Sequence, residues 1–214
     1  MKKGEQIICL LGCLIGWIGL IIQIGLVFNN RTEPPYFIAF RLASFFTIVG
    51  GFSCTLFFSS KLFKSNRKSN SKPRILSSYN VTVYALIVLI GYHVLLQDIW
   101  NPQGWQYVAD RILHFTLPIL TIAYGLLYSK LESSYWNTIS NLLILPVVYF
   151  IYVLIFGTIT WQYPYPFFNV NVMGYSTVLI FATIVLIAIL VTASIFYLLK
   201  FITRKRKLYN SLPK

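Results

Sequence analysis

The sequence predicts an all-α, polytopic membrane protein with six transmembrane helices, and three observations carry that prediction. Hydrophobic residues make up 57% of the chain and charged ones only 11%, with a mean hydropathy of +0.70. A soluble domain presents a surface about a quarter or more charged, which this composition cannot supply. Most of the 214 residues fall into apolar runs of the roughly 20 residues needed to cross ~30 Å of hydrocarbon. The segments between those runs are short and either basic or aromatic, which leaves no room for a separate soluble domain.

The runs are Gln6 to Phe28, Tyr36 to Ser59, Tyr79 to Gln97, Ile112 to Lys130, Asn137 to Trp161 and Gly174 to Lys200. Two lysines precede the first, as in a signal peptide, but the run is far longer than a signal h-region and lacks a small-residue cleavage site. Leu10-Leu11-Gly12-Cys13 has the form of a lipoprotein box, yet the apolar stretch continues past Cys13 where a processed lipoprotein turns polar. Cys9, Cys13 and Cys54 all fall inside runs without metal-ligand spacing, so they read as small buried residues. No metal and no cofactor are expected.

Helix start signals lie at Glu33-Pro34-Pro35 and Asn101-Pro102, since proline is tolerated in a first turn and asparagine caps well. Residues 1–214 therefore form a single six-span domain with a basic loop at 60–78 and a basic tail at 201–214. The linker Lys64 to Pro73 is polar and basic with no apolar residue, a composition expected to be mobile.

The net charge of +13 would suggest nucleic acid in a soluble chain, but here its distribution matters more, and no nucleic-acid partner is expected. Fifteen of the eighteen Lys and Arg residues fall before the first run, after the second, after the fourth or after the sixth; Arg31, Arg41 and Arg111 are the other three. The positive-inside rule then places both termini in the cytoplasm of a multi-pass cell-membrane protein. The basic clusters read as a solvated cytoplasmic face able to contact anionic lipid headgroups. On the opposite side, Trp100, Trp105, Trp161, Tyr163 and Tyr165 read as interface anchors, or as a lid over an outward-facing cavity.

Polar side chains inside the runs locate the candidate site. Thr47 and His114 each lie 12 residues beyond a helix start signal, about 18 Å along a straight helix, so they are expected to face one another. Asp110 is four residues before His114 and shares its helix face, where a carboxylate orients an imidazole and stabilises its charged form. Arg41, His93, Asp98 and Arg111 enter the same outer half. Because each mid-bilayer charge costs roughly 2.5–3.5 kcal/mol on insertion scales, pairing or a watery cavity is expected. The predicted pocket opens among the second, third and fourth runs, with Arg41, His93, Asp110 and Arg111 as substrate-binding residues.

The order Phe45-Phe46-Thr47-Ile48, then Leu113-His114-Phe115-Thr116-Leu117-Pro118, then Trp161 followed by Tyr163-Pro164-Tyr165-Pro166-Phe167, resembles the androgen-induced gene 1-like family of multi-span proteins. Tyr92-His93 through Asp110, with Trp100-Asn101-Pro102 and Gly104, resembles its bacterial members, and the match covers about residues 36–180. Characterised animal relatives hydrolyse fatty acid esters of hydroxy fatty acids with a membrane-embedded threonine and a histidine. The resemblance thus implies Thr47 as nucleophile and His114 as base in an intramembrane lipid-ester hydrolase, with membrane lipids and an acyl ester as partners. A threonine hydroxyl needs a base to become nucleophilic, and histidine is the usual one. A non-catalytic lipid-binding or transport protein using the same cavity is the alternative, and a membrane scaffold is a third.

Overall fold

A computed structural model describes residues 1–29, 33–63, 74–131 and 134–210. Among them there is no strand, and the chain is an all-α polytopic bundle. The helices are α1 (Lys3–Asn29), α2 (Pro35–Ala43), α3 (Phe46–Leu62), α4 (Ser78–Gly91), α5 (Gly104–Arg111), α6 (Leu117–Tyr128), α7 (Tyr135–Thr160) and α8 (Val170–Asn210). Five spans are long and apolar enough to cross a membrane: Lys3–Asn29, Ser78–Leu96, Gly104–Tyr128, Tyr135–Thr160 and Val170–Lys205. The linker Lys64 to Pro73 and Arg31 lie outside the described residues.

The second run departs from the expected continuous helix. It is broken into α2 and α3, bent by 85°, so counting 12 residues from Pro35 does not measure the depth of Thr47. The break falls at Ser44 and Phe45, the latter extended with φ −89° and ψ 117°. Free backbone groups inside a bilayer must find partners, and here they find tyrosines. Tyr149 donates to the Ser44 carbonyl at 2.6 Å and Tyr152 to the Phe40 carbonyl at 2.6 Å, while the Phe46 amide donates to the Tyr165 hydroxyl at 3.1 Å. Ser44 also turns its own hydroxyl onto the Arg41 carbonyl at 2.6 Å.

The fourth run likewise differs in detail. Its helix starts at Gly104 with Gln103 as the N-cap residue. Asn101 is not the cap; its side-chain oxygen accepts from the Gln103 amide at 3.1 Å. Between α5 and α6 the ladder widens to a π-turn over Ile112–Thr116, closed by the Leu117 amide on the Ile112 carbonyl. Pro118 explains this local change, because it lacks the amide that would continue an α ladder and its ring crowds the carbonyl four residues earlier. A second π-turn, Tyr92–Leu96, extends α4 and is closed by the Gln97 amide on the Tyr92 carbonyl at 2.9 Å. Single π-turns of this kind recur at functional sites. His114 and Tyr92 each sit in one.

Packing follows membrane rules, in which small residues let helices approach. α1 turns Cys9, Gly12, Cys13, Gly16 and Gly19 inward, and a Cβ added at Gly12 or Gly16 would run into Phe58 or Thr55 of α3. Conversely, Ile144, Val148, Ile151, Ile155 and Ile159 of α7 remain exposed at helical spacing, the pattern of a lipid-facing stripe. Pro146 removes one rung from α7, and Tyr84 donates to the Leu142 carbonyl it leaves free, at 2.9 Å. α8 is kinked at Gly174, whose φ of 75° a side chain would strain.

Candidate active site

Thr47 occupies the second position of α3, immediately after the break, and its side-chain oxygen lies 3.0 Å from Nε2 of His114. The other ring nitrogen, Nδ1, meets only acceptors: the Asp110 carboxylate at 3.0 Å and the Asp110 carbonyl at 3.2 Å. Nδ1 is therefore the donor to Asp110, and in the tautomer this contact selects Nε2 offers its lone pair to the Thr47 hydroxyl. Asp110, His114 and Thr47 form one continuous relay. It has the same functional order as a nucleophile, base and orienting carboxylate.

Asp110 is 2% exposed, so its charge needs compensation from donors. It receives three. Besides His114, the Tyr92 hydroxyl donates at 2.9 Å and the Trp100 indole at 3.1 Å. Tyr92 also stacks on the imidazole, with ring centroids 4.2 Å apart and planes 28° apart. The imidazole is thus fixed in both tautomer and tilt by Asp110 and Tyr92, the supporting contacts that precise catalytic geometry requires.

Tyr165 completes the surroundings of Thr47. Its hydroxyl accepts the Phe46 amide and faces both the side chain and the backbone of Thr47. Burial raises the pKa of this phenol, which keeps its proton available for donation. Thr47 sits in the first turn of α3, whose Ile48 and Val49 amides donate to the Phe45 carbonyl at 3.0 and 3.2 Å, and the positive end of a helix favours developing negative charge.

A cavity of about 500 Å³ opens on the relay, lined by Arg41, Thr47, Asp110 and His114 together with Gln23 and Gln106. Arg41 pairs with Glu33 at 3.1 Å at its rim. His93 and Arg111 line neither this cavity nor the apolar slot beside it. His93 is exposed and bonds through Nδ1 to the Leu89 carbonyl of its own helix at 2.8 Å. The Arg111 guanidinium lies over Phe115 and Tyr107, 4.5 and 5.0 Å from their ring centroids. Trp100 and Tyr165 read in the sequence as interface anchors or part of a lid, and Tyr92 only as part of the family resemblance. Nothing in their spacing points to Asp110 or Thr47.

The chain matches no protein-family model, no curated protein and no solved structure. What the fold and site define is therefore a class: an all-α multi-pass membrane protein holding a threonine, histidine and aspartate relay in a cavity.

Proposed function

We propose that the protein is an intramembrane threonine-type hydrolase of lipid esters. The observation that carries this reading is the 3.0 Å contact of the Thr47 hydroxyl with His114 Nε2, backed by the Asp110 carboxylate 3.0 Å behind Nδ1. Support also comes from the resemblance to the androgen-induced gene 1-like family, whose threonine and histidine correspond to these two residues. A structural threonine in a membrane helix usually returns its hydroxyl to the carbonyl one turn back, as Thr55, Thr82 and Thr121 do here. Thr47 instead points to a base.

In the reaction, Thr47 Oγ attacks the ester carbonyl carbon while its proton passes to His114 Nε2. Asp110 stabilises the imidazolium, and the Tyr165 hydroxyl beside Thr47 donates to the oxyanion. The carbonyl re-forms, the bond to the alcohol oxygen breaks, and the alcohol leaves with the proton from Nε2. Water then attacks the acyl-threonine, giving a proton to His114. Collapse releases the carboxylic acid and returns that proton to Thr47.

The test is turnover of a chromogenic medium-chain ester by the purified protein in detergent. Thr47→Ala and His114→Ala each abolish turnover without loss of folded protein, because the two act as one unit. Thr47→Ser keeps a measurable part of it, and Thr116→Ala, a generic span threonine, keeps it all. Undiminished turnover in Thr47→Ala removes the hydrolase reading and leaves lipid binding or transport through the same cavity.

A further inference from the structure

We infer that the ester straddles Thr47, with its acyl arm in an apolar slot between α4, α7 and α8 and its alcohol arm in the wider cavity that contains His114 and Asp110. The inference rests on the hydrolase reading and assigns the two halves of its substrate. Two spaces meet at Thr47. The wide one, about 500 Å³, contains His114, Asp110 and Arg41. The slot, about 120 Å³, is lined by apolar groups such as Val88, Gly91, Phe150, Val185 and Leu186, and His114 is not among them. Thr47, Tyr92, Leu96 and Tyr165 border both.

Proton traffic decides which arm goes where. The departing alcohol oxygen takes its proton from His114 Nε2, so that oxygen must lie on the His114 side of the carbonyl carbon. The hydrolytic water gives its proton to the same nitrogen and must arrive from the same side. The wide cavity admits both in turn, the alcohol leaving before the water enters. The acyl group stays bonded to Thr47 throughout and needs the space that neither of them uses, which is the slot. A dry cavity of ~150 Å³ accepts benzene, so 120 Å³ accommodates about five carbons beyond the carbonyl. Acyl length is then sensed in the slot, while the wide cavity accepts varied alcohols.

Gly91 provides the probe. It lies in the slot wall in helical backbone (φ −61°, ψ −38°), and a Cβ there meets nothing within 4 Å, so a larger residue grows into the slot without a clash at its base. Gly91→Leu lowers kcat/KM for a p-nitrophenyl hexanoate at least about tenfold more than for the acetate, the scale on which apolar pockets discriminate chain length. Equal losses on the two esters overturn the inference.

A second measurement is independent of turnover. Thr47→Ala protein is photolysed with octyl hexanoate carrying a diazirine at the end of either the acyl or the alcohol arm, and the labelled peptides are mapped. The acyl probe marks α8 around Val185 and Leu186, and the alcohol probe marks the segment from Ile99 to Gln106. Exchanged labels, or both probes in one cavity, overturn the arm assignment whether or not the wild-type protein hydrolyses esters. Absence of hydrolysis by the wild type bears on the hydrolase reading alone.

Discussion

Asp110 shows how one buried side chain organises several others. Its carboxylate accepts from His114, Tyr92 and Trp100, so removing its charge disturbs the imidazole's tautomer as well as its orientation. Asp110→Asn is expected to lower kcat about 10²-fold or more, since the corresponding change in a serine-protease triad costs about 10⁴; single-turnover measurements alongside the wild type check this. The i, i+4 spacing of Asp110 and His114 made their pairing legible in the sequence. His93 shares the outer half with the relay but does not line its cavity, because depth along a helix does not fix the face, and its ring packs edge-on against Phe115 with centroids 4.6 Å apart. Tyr165 was illegible for another reason: it meets Phe46 across 119 residues of chain, a separation over which local pattern carries no information.

The broken second span illustrates the same limit for an element. Ala43, Ser44 and Phe45 include neither proline nor glycine, the residues that normally announce a break, and the apolar run reads as continuous. The break is sustained by acceptors and donors supplied from α7 and the loop beyond it. Tyr149→Phe leaves the buried Ser44 carbonyl without its donor, a loss of about 1–3 kcal/mol, and is expected to lower the thermal unfolding temperature in detergent. An unchanged temperature would mean that the bend stands without this bond. The fourth span is the opposite case, because Pro118 is visible in the sequence and its effect on the preceding turn follows from missing hydrogen-bond capacity. There the residue was legible and the π-turn was the unread consequence. Thr47 and His114 meet because of these two irregularities, although a straight-helix count had suggested the encounter.

At the scale of the whole molecule, polar chemistry divides between the two ends of the bundle. Glu5 accepts from Tyr124 at 2.8 Å, Lys61 lies over the same tyrosine, and Lys200 caps the Gly125 and Leu126 carbonyls at 3.0 and 3.1 Å. Those contacts gather the start of α1 with the ends of α3, α6 and α8, opposite Arg41, Trp100 and the relay. By the positive-inside rule the basic end is expected to face the cytoplasm. In a background without native cysteines, Gln162→Cys is expected to react with an impermeant maleimide from outside, and Ser69→Cys, outside the described residues, only after the membrane is opened; the reverse pattern would invert the topology. The all-α class was legible because bilayer thickness sets a run length that composition alone reveals; five of the six runs are single spans, and the second is the bent pair α2 and α3. The central claim, that Thr47 is a nucleophile activated by His114, is tested most directly by treating the purified protein with a fluorophosphonate and locating the adduct by peptide mass spectrometry. The expected adduct is on Thr47 and is lost in His114→Ala; an adduct confined to another residue, with ester turnover intact in Thr47→Ala, would rule Thr47 out as the nucleophile.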